Sequence, residues 1–163
     1  MHREVFFWQV GGRWTGLKRA FLFNFARSVE WSTAAFAGPD DSVLVCVVGG
    51  DSFADVIVRT VSGRSVEGRP VAVVALDALS GLSSCPILFV GEKISSDPGN
   101  VASSVSGLSI FTVVDHKGFA AGGGIANFIQ MDNKVRFEIN PSAEKKAGLK
   151  VSSLLLRLAK VVK

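Results

Sequence analysis

Short runs of apolar, mostly β-branched residues recur along the chain, with polar and glycine-containing segments between them. Residues Val43–Val48 are apolar without interruption, which is the pattern of a strand covered on both faces. The same pattern returns in later segments at Val71–Leu76, Ile87–Val90 and Ile110–Val114. The segments between these runs are long enough for a helical turn or a helix. The alternation therefore predicts a largely parallel sheet with helices packed against it.

Before the first strand the apolar spacing is helical. Apolar residues recur every four positions from Leu17 to Val29, which predicts a largely buried first helix over residues 16–30. After the first strand, the turn Gly49-Gly50-Asp51-Ser52 leads into a second helix, predicted to begin at Phe53. The first strand, this turn and the second helix form a β-turn-α unit.

The last third of the chain predicts an antiparallel hairpin. Segments Ile125–Met131 and Lys134–Ile139 flank Asp132-Asn133, a two-residue turn of the kind that joins tightly paired strands. In the second segment Val135, Phe137 and Ile139 alternate with polar residues, so that one face of the strand is expected in the core and the other in water. The polar face consists of Arg136, Glu138 and Asn140.

Two short helices are predicted after the hairpin. Pro141 is suited to the first position of a helix that Gly148 ends. Ser152 is suited to cap a terminal helix. The apolar side of that helix is expected to hold Leu154, Leu155, Leu158 and Val162. The whole pattern predicts an α/β fold: a single-domain layered sandwich, Rossmann-like or flavodoxin-like, with helices on both faces and a largely parallel sheet ending in an antiparallel hairpin.

Composition limits the class of protein. With 163 residues, 48% hydrophobic and 20% charged, the chain suits one domain with an ample core. Its longest apolar runs are far shorter than the roughly 20 residues of a membrane-spanning helix, so no membrane insertion is expected. The net charge of +4 comes from lysines and arginines that are scattered except near the C-terminus, where solvated helix faces explain them. No basic stripe interleaved with aromatic residues supports binding to nucleic acid.

Candidate catalytic chemistry is sparse. The two histidines, His2 and His116, have no accompanying set of residues that suits a metal site. Asp115 and His116 are adjacent and are expected to point in different directions at a strand end. Gly122-Gly123-Gly124 precedes a strand, which reverses the order of a phosphate-binding loop, and is interpreted as a turn. The sequence predicts no catalytic residues, no metal and no cofactor.

The two cysteines lie in or beside predicted strands. Cys46 is within Val43–Val48, and Cys85 comes just before Ile87–Val90. If these strands are neighbours, the cysteines can form a disulfide. Two buried free thiols that behave as small hydrophobic residues are the alternative.

Five segments together resemble the YfiR-like family. They are FLFNFARSVEW, VLVCVVGGDSF, VEGRPVAVVAL, CPILFV and GFAAGGGIANFIQMDNKVRFEINPSAEKKAGLKVSSLLLRLA, which extend from residue 21 almost to the end of the chain. The resemblance implies a YfiR-like domain over residues 16–163, preceded by a tail of uncertain origin at residues 1–15. It also implies a disulfide between Cys46 and Cys85.

The same resemblance implies a function. Members of the family are non-enzymatic periplasmic proteins that repress a membrane-bound diguanylate cyclase by binding its periplasmic sensor region, which lowers cyclic di-GMP and biofilm formation. An OmpA-like outer-membrane lipoprotein is a further implied partner, and a homodimer is expected. The resemblance predicts a periplasmic location, although residues 1–15 do not have the pattern of a signal peptide. A cytoplasmic protein is the alternative.

A partner- or ligand-binding surface is predicted in the stretch RFEINPSAEKKAGLK. Its candidate residues are Arg136, Glu138, Asn140 and Lys150. A solvated strand face and helix surface is the plainer interpretation of the same residues. A second hypothesis for the function is a small-ligand-binding sensor domain that works with a sensor histidine kinase, because open α/β sheets bind ligands at the ends of their strands.

Overall fold

The computed structural model describes residues 25, 28–30, 42–49, 65–66, 68–82, 85–91, 98–131 and 134–162. The strands in these parts are β1 (Val29–Glu30), β2 (Val43–Val48), β3 (Ser65–Val66), β4 (Arg69–Leu76), β5 (Ile87–Val90), β6 (Phe111–Val114), β7 (Ala126–Met131), β8 (Lys134–Ile139), β9 (Lys150–Val151) and β10 (Lys160–Val161). The helices are α1 (Pro98–Val105), α2 (Pro141–Lys146) and α3 (Ser153–Leu158).

The described strands form one large sheet and one small one. The large sheet has eight strands in the order β10-β8-β7-β6-β5-β2-β4-β3. Strand pairs β7–β8 and β3–β4 are antiparallel, and the other neighbours in this sheet are parallel. A separate antiparallel pair joins β1 to β9. The predicted α/β fold with a largely parallel sheet is confirmed.

The strands predicted from uninterrupted apolar runs are all present. Val43–Val48 and Ile87–Val90 have the predicted bounds, while the strand predicted at Val71–Leu76 begins earlier, at Arg69. The strand predicted from Ile110 begins at Phe111. Strands β2, β5 and β6 are buried almost throughout, which selects mainly apolar residues along their whole length, whereas β4 is only partly buried.

Both faces of the large sheet are covered. Along β6, Phe111 and Val113 belong to one core cluster, while Thr112 separates them and Val114 belongs to another. The first cluster contains Phe25, whose ring lies 5.1 Å from that of Phe111, and Leu155 of α3. The second contains Val101 of α1. Helical residues therefore pack on both faces, as the sequence predicts.

The predicted first helix ends earlier than expected. Phe25 and Ser28 are helical, but Val29 and Glu30 form strand β1 and pair with Val151 and Lys150. The pairing continues where the backbone N–H of Ser152 donates to the carbonyl of Ser28 at 2.9 Å. A partner strand distant in sequence thus overrides the helical spacing at Val29. The rest of this helix, and the helix predicted from Phe53, lie outside the described residues.

The C-terminal segment departs from the prediction at its end. Ser152 caps α3 as predicted, since its hydroxyl accepts a hydrogen bond from the N–H of Leu155 at 3.2 Å. The placement of Val162 on the apolar side of this helix is wrong, because α3 ends at Leu158 and the chain continues as β10. The N–H of Val162 donates to the carbonyl of Ile139 at 2.9 Å. The sheet therefore ends in a parallel strand beyond the predicted hairpin.

Candidate functional site

A disulfide joins two central strands of the large sheet. Cys46 lies on β2 and Cys85 just before the neighbouring strand β5, and their sulfur atoms are 2.06 Å apart. The two residues are 1% and 3% exposed. They pack in the second core cluster, together with Leu82 and with Val101 of α1. The bond is therefore enclosed by apolar side chains on the face that α1 covers.

The predicted polar face of β8 is only partly exposed. Arg136 is exposed as expected. The expectation of a wet face is wrong for Glu138 and Asn140, which are 7% and 5% exposed. The cause is the segment between β6 and β7, because the backbone of Ala120 hydrogen-bonds to side chains on this face. A strand face that sequence alternation marks as polar is thus buried beneath a loop.

Three buried side chains and the backbone of Ala120 form a connected group, called here the polar network. The amide nitrogen of Asn127 donates to Glu138 Oε1 at 3.1 Å, and its amide oxygen accepts from the N–H of Ala120 at 2.8 Å. The amide nitrogen of Asn140 donates to the carbonyl of Ala120 at 2.9 Å. Buried polar groups of this kind are costly when unpaired, so the network fixes the loop against the hairpin.

Asn140 also begins helix α2. Its amide oxygen accepts from the N–H groups of Ser142 and Ala143, at 3.0 and 3.2 Å. Pro141 occupies the first turn of the helix, as the sequence predicts, and Gly148 follows the helix end with φ of 75°. A single asparagine therefore sets the start of α2 and attaches it to the loop.

The four predicted site residues do not form one cluster. Glu138 reaches the edge of the sheet, where its Oε2 lies 3.7 Å from the ammonium group of Lys160 on β10. Lys150 is exposed but belongs to β9, in the small sheet. Arg136 and Lys150 therefore remain candidates for contact with a partner, while Glu138 and Asn140 act on the local structure.

Glu144 is a buried carboxylate that the sequence interpretation missed. It lies on α2 and is 4% exposed, and its Oε2 has no hydrogen-bond partner among the described residues. Loss of hydration raises the pKa of Glu144, while a backbone hydrogen bond from Val151 and the charge of Lys145 partly oppose the shift. Its position in a segment rich in lysine gives no sign that this carboxylate is buried.

Replacement of Glu144 by glutamine is expected to stabilise the fold at neutral pH. Because burial raises the folded-state pKa above the unfolded one, ionised Glu144 costs stability at high pH, and this cost disappears as pH falls through the folded-state pKa. The gain in the urea midpoint for Glu144→Gln should therefore be larger at about pH 8 than at about pH 4. Asp77→Asn, at an exposed position, serves as the control. An equal gain at both pH values would contradict a buried ionised carboxylate.

His116 and the segment Gly122-Gly123-Gly124 lie in turns and bends beside the strands. His116 follows β6, and its Nδ1 is 2.9 Å from the carbonyl oxygen of Lys117. Gly123 has φ of 108°, and a Cβ at Gly124 would overlap the ring of Phe119. Among the described residues, no group of three or more His, Cys, Asp and Glu residues is placed to hold a metal ion. No helix in the same residues is long and apolar enough to cross a membrane.

Comparison with known proteins decides the family. A model of the YfiR/HmsC-like family matches residues 15–160, nearly the whole chain. The protein belongs to the YfiR/HmsC-like family. This family is of a regulatory, non-enzymatic type and is periplasmic. A search of curated proteins finds no significant match.

A solved structure supports the fold. The chain is similar to a conserved domain protein from Vibrio cholerae O1 biovar El Tor strain N16961, with a TM-score of 0.59 and 10% sequence identity. The similarity covers 74% of this chain and 55% of the Vibrio cholerae chain. At this identity the two proteins share a fold, and the likeness carries no conclusion about function.

Proposed function

We propose that this protein is a periplasmic repressor that binds the sensor region of a membrane-bound diguanylate cyclase and lowers its output of cyclic di-GMP. The match to the YfiR/HmsC-like family over residues 15–160 is the observation that carries this proposal. The disulfide between Cys46 and Cys85 agrees with it, because disulfides persist in the oxidising periplasm and are rare in the cytosol.

Repression of this kind requires no catalytic group. A protein that binds one state of a sensor more tightly than another shifts the sensor toward that state, and the size of the shift is set by the difference in affinity. A rigid sheet with both faces covered and an internal covalent bond suits this task, since a preformed surface loses little entropy on binding. The disulfide and the polar network both restrict the scaffold.

Exposed Arg136 and Lys150 are the residues through which we expect the partner to be bound. Both are exposed cations, and they lie at β8 and at β9. Glu138 and Asn140 contribute through the polar network, by fixing the loop and the start of α2. Replacement of an exposed cation at a binding surface acts mainly on the association rate and its salt dependence.

The test is titration calorimetry of the purified protein against the periplasmic region of a membrane diguanylate cyclase from the same genome. We expect saturable binding that Arg136→Ala and Lys150→Ala weaken, and that Lys117→Ala, an exposed cation of the loop, leaves unchanged. Absence of binding to every such cyclase region would overturn the proposal and favour a sensor histidine kinase as the partner. Binding that neither Arg136→Ala nor Lys150→Ala weakens would overturn only the proposed surface.

Two further partners are proposed on family grounds. An OmpA-like outer-membrane lipoprotein would compete with the cyclase for the repressor, and the repressor would form a homodimer. Light scattering during size-exclusion chromatography measures the second directly. A mass equal to one chain at every concentration tested would rule out the dimer.

A further inference from the structure

A cavity of about 220 Å³ has neither Arg136 nor Lys150 among its lining residues. It is a partly open cavity between the C-terminal end of α1, the turn before β6, the loop before β7 and one side of α2. Its wall is mainly apolar and includes Val105, Leu108, Ile110 and Phe119. The cavity is somewhat smaller than the sites that hold drug-sized ligands, which are about 300–1,000 Å³, so it suits a small molecule.

Small side chains keep the cavity open. Ala143 lines it from α2 and Ala147 from the C-cap of that helix; the two lie one helical turn apart, so they face the same way. Ala102 lines it from α1, and Gly107 from the following turn. A larger apolar residue at Ala143 would fill space that is otherwise free. Replacing Ala143 by a larger apolar residue therefore tests whether a ligand binds in the cavity.

The charged and polar side chains of the cavity favour a ligand with a negative group. Lys146 carries the only charge among the described residues that line it, and the side chain is exposed at the rim. Thr112 is buried, and its hydroxyl is 3.4 Å from the carbonyl oxygen of Ile110, longer than usual for a hydroxyl hydrogen bond. Ser106 adds a second hydroxyl to the lining. A mainly apolar wall with one cation and two hydroxyl groups suits an apolar molecule that carries a single negative group.

We propose that this cavity binds a small apolar monocarboxylate. The hydrocarbon part lies against Val105, Leu108 and Phe119, and the carboxylate faces the ammonium group of Lys146. The site is independent of the proposed cyclase partner, because it uses none of the residues assigned to that contact.

The probes are straight-chain carboxylates from butanoate to octanoate, with hexanol as a neutral molecule matched to hexanoate. Binding is measured by titration calorimetry of the intact oxidised protein. We expect hexanoate to bind with a dissociation constant between about 10 µM and 1 mM, and affinity to rise about fourfold for each methylene group until the cavity is full. Hexanol should bind about two- to fivefold more weakly than hexanoate, because the cation that the carboxylate faces is exposed.

Two variants distinguish the effect of the charge of Lys146 on binding from the effect of the free space in the cavity. Lys146→Gln should abolish the preference for hexanoate over hexanol, while Lys145→Gln, an exposed neighbour that does not line the cavity, should preserve it. Ala143→Leu should abolish binding of both, with folding checked by circular dichroism. No carboxylate binding at about 10 mM would overturn the proposal. So would binding that survives Ala143→Leu, or a preference for carboxylate that survives Lys146→Gln.

Discussion

The double variant Cys46→Ala and Cys85→Ala is expected to lose about 4 kcal/mol of unfolding free energy. The disulfide closes a loop between cysteines 39 positions apart, and in the chain-entropy model a loop of this size restricts the unfolded chain by about that amount. Alanine avoids placing new hydroxyl groups in the apolar core. The measurement is the denaturant midpoint and slope of the oxidised wild type and of the variant.

The reduced wild type is the matched control. Its midpoint should lie close to that of the double variant, because both lack the covalent loop. If the variant loses this unfolding free energy and the reduced wild type does not, the loss is due to altered core packing and not to the missing bond. Equal midpoints for oxidised wild type, reduced wild type and variant would show that the disulfide contributes nothing to the stability of the fold.

The burial of the disulfide bears on redox control. With Cys46 and Cys85 at most 3% exposed, a reductant reaches the sulfur atoms only after the structure opens. We therefore expect thiol release under native conditions to be no faster than opening of the core, and to accelerate steeply in denaturant. Rapid release from a protein that keeps its native circular dichroism would contradict this. A redox effect on cyclase binding accordingly requires protein reduced in denaturant and refolded.

The main sheet is predictable from the sequence because its signal is local. Each buried parallel strand needs apolar residues at every position, and Val43–Val48 and Ile87–Val90 meet that condition over their whole length. The hairpin is equally local, since only two residues separate the paired Met131 and Lys134. The same register places Asn127 opposite Glu138, so the pair at the centre of the polar network follows from this short spacing.

The remaining elements are defined by distant partners. Strands β1, β9 and β10 have two residues each, and they exist because another segment offers backbone hydrogen bonds. The burial of Glu138 has the same origin, because it depends on the position of Ala120 in a loop. Alternation along a single strand reports which residues share a face, but not what covers that face.

Replacement of Asn127 by alanine is expected to destabilise the fold by about 3 kcal/mol. The change leaves two buried groups without their partners, the N–H of Ala120 and Oε1 of Glu138, and each such loss costs about 1–3 kcal/mol. Because the loop is attached to the hairpin through this side chain, hydrogen exchange at Ala120 should also become faster. Denaturant unfolding measures the first effect, and amide exchange by nuclear magnetic resonance measures the second.

Two variants test whether the destabilisation by Asn127→Ala comes from the buried hydrogen bond between Asn127 and the carboxylate of Glu138. Lys160→Ala removes the exposed partner of Glu138 and should cost at most about 1 kcal/mol, because ion pairs with an exposed member contribute little. Asn127→Asp keeps an acceptor for the N–H of Ala120 but places a second carboxylate beside Glu138, so its destabilisation should decrease as pH falls and one of the two becomes protonated. A loss for Lys160→Ala equal to that for Asn127→Ala would contradict the role assigned to Asn127. A pH-independent loss for Asn127→Asp would contradict the buried pairing with Glu138, because the repulsion between two facing carboxylates is relieved when one of them is protonated.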